Sequence, residues 1–167
     1  MADKYIYNNA GTLTEREAKV TSAGAGDSGR VVALDAAGKL DNSMMPTGIG
    51  ADTQVIVTSE ALSAGDFVNI HNSTGAKARK ADATVSGKEA HGFVLSSVIS
   101  GGNATVYFEG TNTAVTAQVP GNVFLATTAG GATATAPVAS GNVVQRIGLA
   151  TSATTINFEP QNPIVLA

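Results

Sequence analysis

The chain has 167 residues and a net charge of −3, with 14% charged, 43% hydrophobic and only 5% aromatic residues. The length suits one compact domain with an appended arm, and the acidic balance argues against a nucleic-acid partner. Cysteine is absent, which excludes a disulfide, a thiolate nucleophile and a Cys-based zinc site.

No stretch approaches the roughly 20 apolar residues of a membrane helix, and Met1 to Ala10 lacks the apolar run of a signal peptide. A soluble protein made in a cytoplasm, with no membrane partner, is expected. Its hydrophobic share is inflated by alanine. Ordering a residue costs roughly 1.5 kcal/mol, and a buried Val or Leu returns only about 1.5 to 3 kcal/mol. Contacts between subunits are therefore expected to supply part of the stability.

From the N-terminus, Thr12 and Thr14 followed by Glu15 and Glu17 fit a capping box and an acidic first turn, which predicts one or two helical turns ending near Val20. Residues 21–29 are a small-residue run that reads as an extended or mobile linker. Residues 30–35 read as a short strand and 36–39 as a turn. Residues 1–51 are thus read as an extended arm carrying at most one short helix. Val31, Leu34, Leu40, Met44 and Met45 stand on it without a local core, which makes them candidate docking contacts.

From residue 52 onward the pattern changes to short β segments at 54–59, 67–71, 76–82, 91–99, 104–109, 122–127, 143–151 and 154–159. Val55 and Val57, Val106 and Phe108, and Ile156 and Phe158 alternate as a strand with one buried face should. Between the segments stand turn clusters such as Ser63-Ala64-Gly65-Asp66, Ser100-Gly101-Gly102-Asn103 and Ala129-Gly130-Gly131. This spacing predicts a mainly β fold, a small β-sandwich or barrel over 52–167.

Motifs with chemical meaning are weak. Gly24, Gly26 and Gly29 satisfy G-x-G-x-x-G, but a strand follows them where the dinucleotide fingerprint needs a helix. Gly26-Asp27-Ser28-Gly29 matches the nucleophile loop of trypsin-like proteases, yet a glycine-rich arm supplies none of the preorganisation a reactive serine needs. His71 and His91 have no acidic companion at metal-ligand spacing and read as strand positions. No cofactor or metal is implied, and no enzyme activity is expected. Asn72-Ser73-Thr74 and Asn103-Ala104-Thr105 match the glycosylation acceptor and read as turns. Lys77, Arg79 and Lys80 form the basic cluster. Lys77 and Arg79 share one strand face, and they fit either an edge strand protected by charge or a salt bridge to an acidic neighbour.

Residues Gly29-Arg30-Val31-Val32-Ala33-Leu34-Asp35-Ala36-Ala37-Gly38-Lys39-Leu40-Asp41-Asn42-Ser43-Met44-Met45-Pro46 resemble a phrase common in structural proteins of tailed bacteriophages. The C-terminal strands, with Val123-Phe124-Leu125-Ala126-Thr127, Gly141-Asn142-Val143-Val144-Gln145-Arg146-Ile147 and Ile156-Asn157-Phe158, are similar to the β-rich domain of phage head-decoration (cement) and head-fibre proteins. The resemblance implies a β-tulip-like fold and a homotrimer on the capsid's outer surface, with the arm against the major capsid protein. On that expectation Val31, Leu34, Leu40, Met44, Met45, Lys77 and Arg79 are capsid or inter-subunit contacts. The alternative is a tail-fibre or tail-associated adhesin. Carbohydrate sites usually present stacking aromatics, however, and only Tyr107 and Phe108 stand together here.

Overall fold

The computed structural model describes residues 3–45 and 51–167. The chain divides into two compact units, Met1–Gly50 and Ala51–Ala167.

In the N-terminal unit, β1 (Lys4–Asn9) and β2 (Thr12–Glu17) form an antiparallel hairpin. Its two loop residues, Ala10 and Gly11, have φ of 50° and 96°, the pair of positive values a type I′ turn demands. The Gly11 N–H donates to Asn8 Oδ1 at 2.8 Å. The segment expected to be helical is therefore strand β2. Its glutamates do not fold back to cap a helix: Glu15 reaches across to Lys4 Nζ at 2.9 Å, and the Arg16 guanidinium lies 4.5 Å from the Tyr7 ring centre. Both contacts are cross-strand pairs that a hairpin supplies.

Residues 21–29 are not an extended linker. They carry a 3-10 turn at Ala25–Asp27, held by Asp27, which accepts the Ala23 N–H at 2.8 Å and pairs with Lys19 Nζ at 3.1 Å. The expected strand over 30–35 shrinks to one parallel bridge between Lys19 and Val32. After it, Asp35 accepts the N–H groups of Ala37 and Lys39, both at 2.8 Å, around Gly38 at φ 72°. A second 3-10 turn, Asn42–Met44, is capped by Asp41 through the Ser43 N–H and hydroxyl. No described residue of this unit is buried.

In the C-terminal unit, β3 (Thr53–Thr58), β4 (Phe67–Asn72), β5 (Ala76–Lys80), β6 (Gly92–Phe93) and β7 (Asn103–Tyr107) close a barrel in the order β3-β5-β4-β6-β7. The β3–β5 pairing is parallel and the others are antiparallel. Its interior packs Ile56, Val68, Ala78, Ala104 and Val106 with Leu62 and Val94. A five-stranded barrel has a narrow bore, and alanines at 78 and 104 fit where larger side chains would overpack. The alanine-rich composition thus has a structural use.

The remaining strands are β8 (Gly110–Asn112), β9 (Gly121–Leu125), β10 (Ala132–Thr133), β11 (Val143–Val144), β12 (Arg146–Ser152), β13 (Thr155–Phe158) and β14 (Ile164–Val165). Five of them form a sheet in the order β10-β9-β12-β13-β8, and β11 pairs with β14. Phe67 and Phe93 of the barrel meet Val123, Leu125, Ile147, Ile156 and Phe158 of the sheet in a second core. The fold is mainly β with a sandwich-like arrangement of sheets.

Three readings of strand detail change. On β3 the face is inverted: Ile56 is 5% exposed and faces the bore, whereas Val55 is 62% exposed. With 55–57 apolar on both faces, alternation could not choose between them. The expected strand 91–99 keeps only β6 and a single bridge between Leu62 and Val98. Asn103 to Thr105 are strand residues of β7 rather than a turn, with Ala104 fully buried.

Candidate interaction surfaces

The apolar residues singled out on the N-terminal unit are largely open to solvent. Leu34 is 60% exposed, and Val31, Leu40 and Met45 lie between 37% and 48%; Met44 is half-buried. Pro46, the last residue of the phage-like phrase, lies outside the described residues. Within the phrase the labour is divided. Asp35, Gly38, Asp41 and Ser43 fix the turns through their own hydrogen bonds and φ, while the large apolar side chains are left unburied. Ile6 and Leu13 on the hairpin, and Val20 and Val32, are also exposed and were not singled out by sequence. The alternating pattern of β1 and β2 was the only signal for Ile6 and Leu13.

Asp27 and Asp41 hold this unit's loops electrostatically. The Ala23 N–H, followed by the Lys19 ammonium, keeps the Asp27 carboxyl below its ordinary value. The Ser43 hydroxyl and N–H do the same for Asp41. Hydrogen bonds to the ionised form favour it.

Lys77 and Arg79 do share the outer face of β5, with Ala78 between them fully buried. Strand β5 is paired on both sides, to β3 and β4, so the charges do not protect a free edge. Arg79 is a strut: Nε donates to Asn69 Oδ1 at 3.0 Å and Nη2 to the Gly87 carbonyl at 2.7 Å. Asn69, itself buried, donates onward to the Glu89 carbonyl at 2.8 Å. The guanidinium thereby ties the loop before β6 to the barrel wall. Lys77 forms no ion pair among the described residues and stands opposite His71.

His71 Nε2 lies 2.9 Å from Ser59 Oγ. Burial, then the nearby Arg79 charge, lowers its pKa below 6.5, against the opposing pull of Glu60. His91 stands just ahead of β6, and its Nδ1 accepts the Ile70 N–H at 3.0 Å. Ser28 is exposed at the end of its 3-10 turn. Tyr107 stacks on Phe93 at 5.3 Å and Phe108 packs against the barrel core, so neither ring is free as a stacking platform. No group of three or more His, Asp or Glu side chains suited to a metal occurs among the described residues. No helix there is long and apolar enough to cross a membrane.

Comparison with protein-family models, with curated proteins and with solved structures yields no match.

Proposed function

We propose that this chain is a structural virion protein of a tailed bacteriophage, which binds the outer surface of the capsid and stabilises the assembled shell, as a homotrimer at capsomer junctions. The reading rests on the phage-like phrase, and one observation carries it. The N-terminal unit has defined turns and a hairpin, yet none of its described residues is buried, and Val31, Leu34, Leu40 and Met45 are left open. Apolar anchors held on shaped turns suit docking into grooves of a partner. The shell would gain stability by mass action, since a protein that binds only the assembled form stabilises it by its binding free energy. In this role Lys77 is the available basic contact on β5, and Arg79 serves chiefly to hold the loop before β6.

The test adds to undecorated particles either the native chain or the full-length variant Val31→Asp, Leu34→Asp, Leu40→Asp. All three sites are exposed, so the variant keeps its fold by circular dichroism. The expected result is co-sedimentation of the native chain with particles and loss of most of it for the variant. Equal co-sedimentation of both would sink the contact assignment. Immunogold label on the tail of intact virions, with none on the head, would sink the capsid reading itself.

A further inference from the structure

The strand pair of β11 and β14 is built differently from the rest of the C-terminal unit. On β11, Val143 is fully buried and Val144 half-buried. Val165 pairs with Val143 and Ile164 with Val144, yet Ile164 stays 65% exposed and Val165 52%. Among the described residues of this unit, β14 is the one strand in which no residue is even half-buried. Just beyond it, the Leu166 N–H donates to the Asn142 carbonyl and the Gly141 N–H to the Leu166 carbonyl, both at 2.9 Å. Backbone hydrogen bonds therefore hold this strand with little apolar burial to assist them.

The segment leading into β14 has the makeup of a hinge. Gln161 is pinned beside the start of β12: its N–H donates to the Arg146 carbonyl at 2.9 Å, and its carbonyl accepts Gln145 Nε2 at 3.4 Å. The next two residues, Asn162 and Pro163, make no hydrogen bond to another described residue. A cleft of about 380 Å³ lies between residues 160–163 and Glu89, Ala90 and His91, so the hinge is not packed down on that side. Pro163 fixes its own φ and biases Asn162 towards extended backbone, so the segment loses little freedom when it reaches away.

From these features we propose that β14 is exchanged between copies of this chain: residues 164–166 of one copy pair with β11 of a neighbour, in the register that β14 shows here. A second copy offers the identical β11, with Gly141 and Asn142 beside it, so every hydrogen bond of the strand is kept on exchange. What exchange adds is burial, because Ile164 and Val165 come to lie at the junction of two copies. From Gln161 to Ile164 the chain spans at most about 11 Å. The neighbour's β11 must therefore lie close beside the donor's β12. Exchange rests on the self-association proposed above and needs neither capsid nor phage.

The chain has no cysteine, so introduced thiols report only on themselves. Val144 and Ile164 are direct partners, and the roughly 4.5 to 5.5 Å between Cα atoms of such antiparallel pairs is a separation that a disulfide spans. The full-length double variant Val144→Cys, Ile164→Cys is oxidised with diamide and run on a denaturing, non-reducing gel. Exchange is expected to link most chains to one another as covalent oligomers, whereas a strand kept in its own copy closes each chain on itself as a monomer. In a second arm, Val144→Cys and Ile164→Cys chains made separately are unfolded in urea, refolded together and oxidised. Linked pairs should join one chain of each variant, identified by the masses of the disulfide-joined peptides. Native mass spectrometry of the unsubstituted chain fixes the copy number. An oligomer whose double variant closes within single chains, or forms no bond at this pair, overturns exchange and leaves the self-association standing; a monomer overturns both. Ile164→Cys chains that link only to themselves overturn it too, and show two β14 edges pairing directly.

Discussion

The side-chain amide of Gln145 pairs with the backbone of Ala90 in both directions: the Ala90 N–H donates to Oε1 at 2.8 Å, and Nε2 donates to the Ala90 carbonyl at 3.0 Å. Gln145 is 3% exposed and Ala90 1%. The residue that separates β11 from β12 thus replaces a strand partner for the chain just ahead of β6, and joins the sheet side of the unit to the barrel. Gln145→Met keeps the length and leaves two buried backbone groups unpaired, each costing about 1 to 3 kcal/mol. A loss of roughly 2 to 6 kcal/mol in urea denaturation is expected, and an unchanged midpoint would show that water replaces the amide.

Phe158 lies 5.6 Å from both Phe67 and Phe93, ring centre to ring centre. The three rings join the barrel to the five-stranded sheet. Phe158→Ala removes the central one and should cost about 3 to 5 kcal/mol. Leu149, on the outer face of β12, is 41% exposed, and Leu149→Ala should cost under about 1 kcal/mol. Equal losses for the two variants would mean that the outer face is covered in solution.

Sequence pattern located most strands of 51–167 because turn residues punctuate them and because positions such as Ile156 and Phe158 alternate with polar neighbours. It failed where local preference and tertiary pairing disagree. Thr12 to Glu17 has the composition of a helix start, and only the partners Lys4 and Tyr7 across the hairpin decide for strand. Strands β10 and β14 have two residues each, too few for any period to register. The exposed side chains of the phage-like phrase were legible because they lie close together in sequence. The pairing of Ile164 with Val144 was not, because the two come together only through the fold.

Two groups give stability a dependence on pH, in separate windows. His71 has a folded pKa below 6.5, so between the two values the unfolded chain binds more protons. Its contribution is complete above about pH 6.5 and is lost as pH falls through the folded value. Thermal melts of the native chain and of His71→Gln from about pH 7.5 to 5.5 should show a smaller fall in Tm for the variant. Asp27 has a folded pKa below 3.8, so its contribution is present above about pH 4 and is lost as pH drops through the lowered value. The Ala23 amide, which it accepts, should lose exchange protection there, and in Asp27→Asn that acid step should be absent.

The hairpin turn offers a change in the stabilising direction. Ala10 holds φ at 50°, a left-handed conformation that costs an ordinary L-residue roughly 1 kcal/mol or more. Asparagine tolerates it better, and Asn-Gly is the preferred pair for a type I′ turn. Gly11 already supplies the second position, and Asn8 already accepts its N–H, so Ala10→Asn needs no rearrangement. The change should stabilise the hairpin by about 0.5 to 1 kcal/mol. Hydrogen exchange at the paired amides of β1 and β2 would measure it: protection should rise there while the barrel amides stay unchanged. Protection that falls in the hairpin would mean that the turn is not of this type in solution. Ala10→Val, which combines the same backbone conformation with a β-branched side chain, should move protection the opposite way.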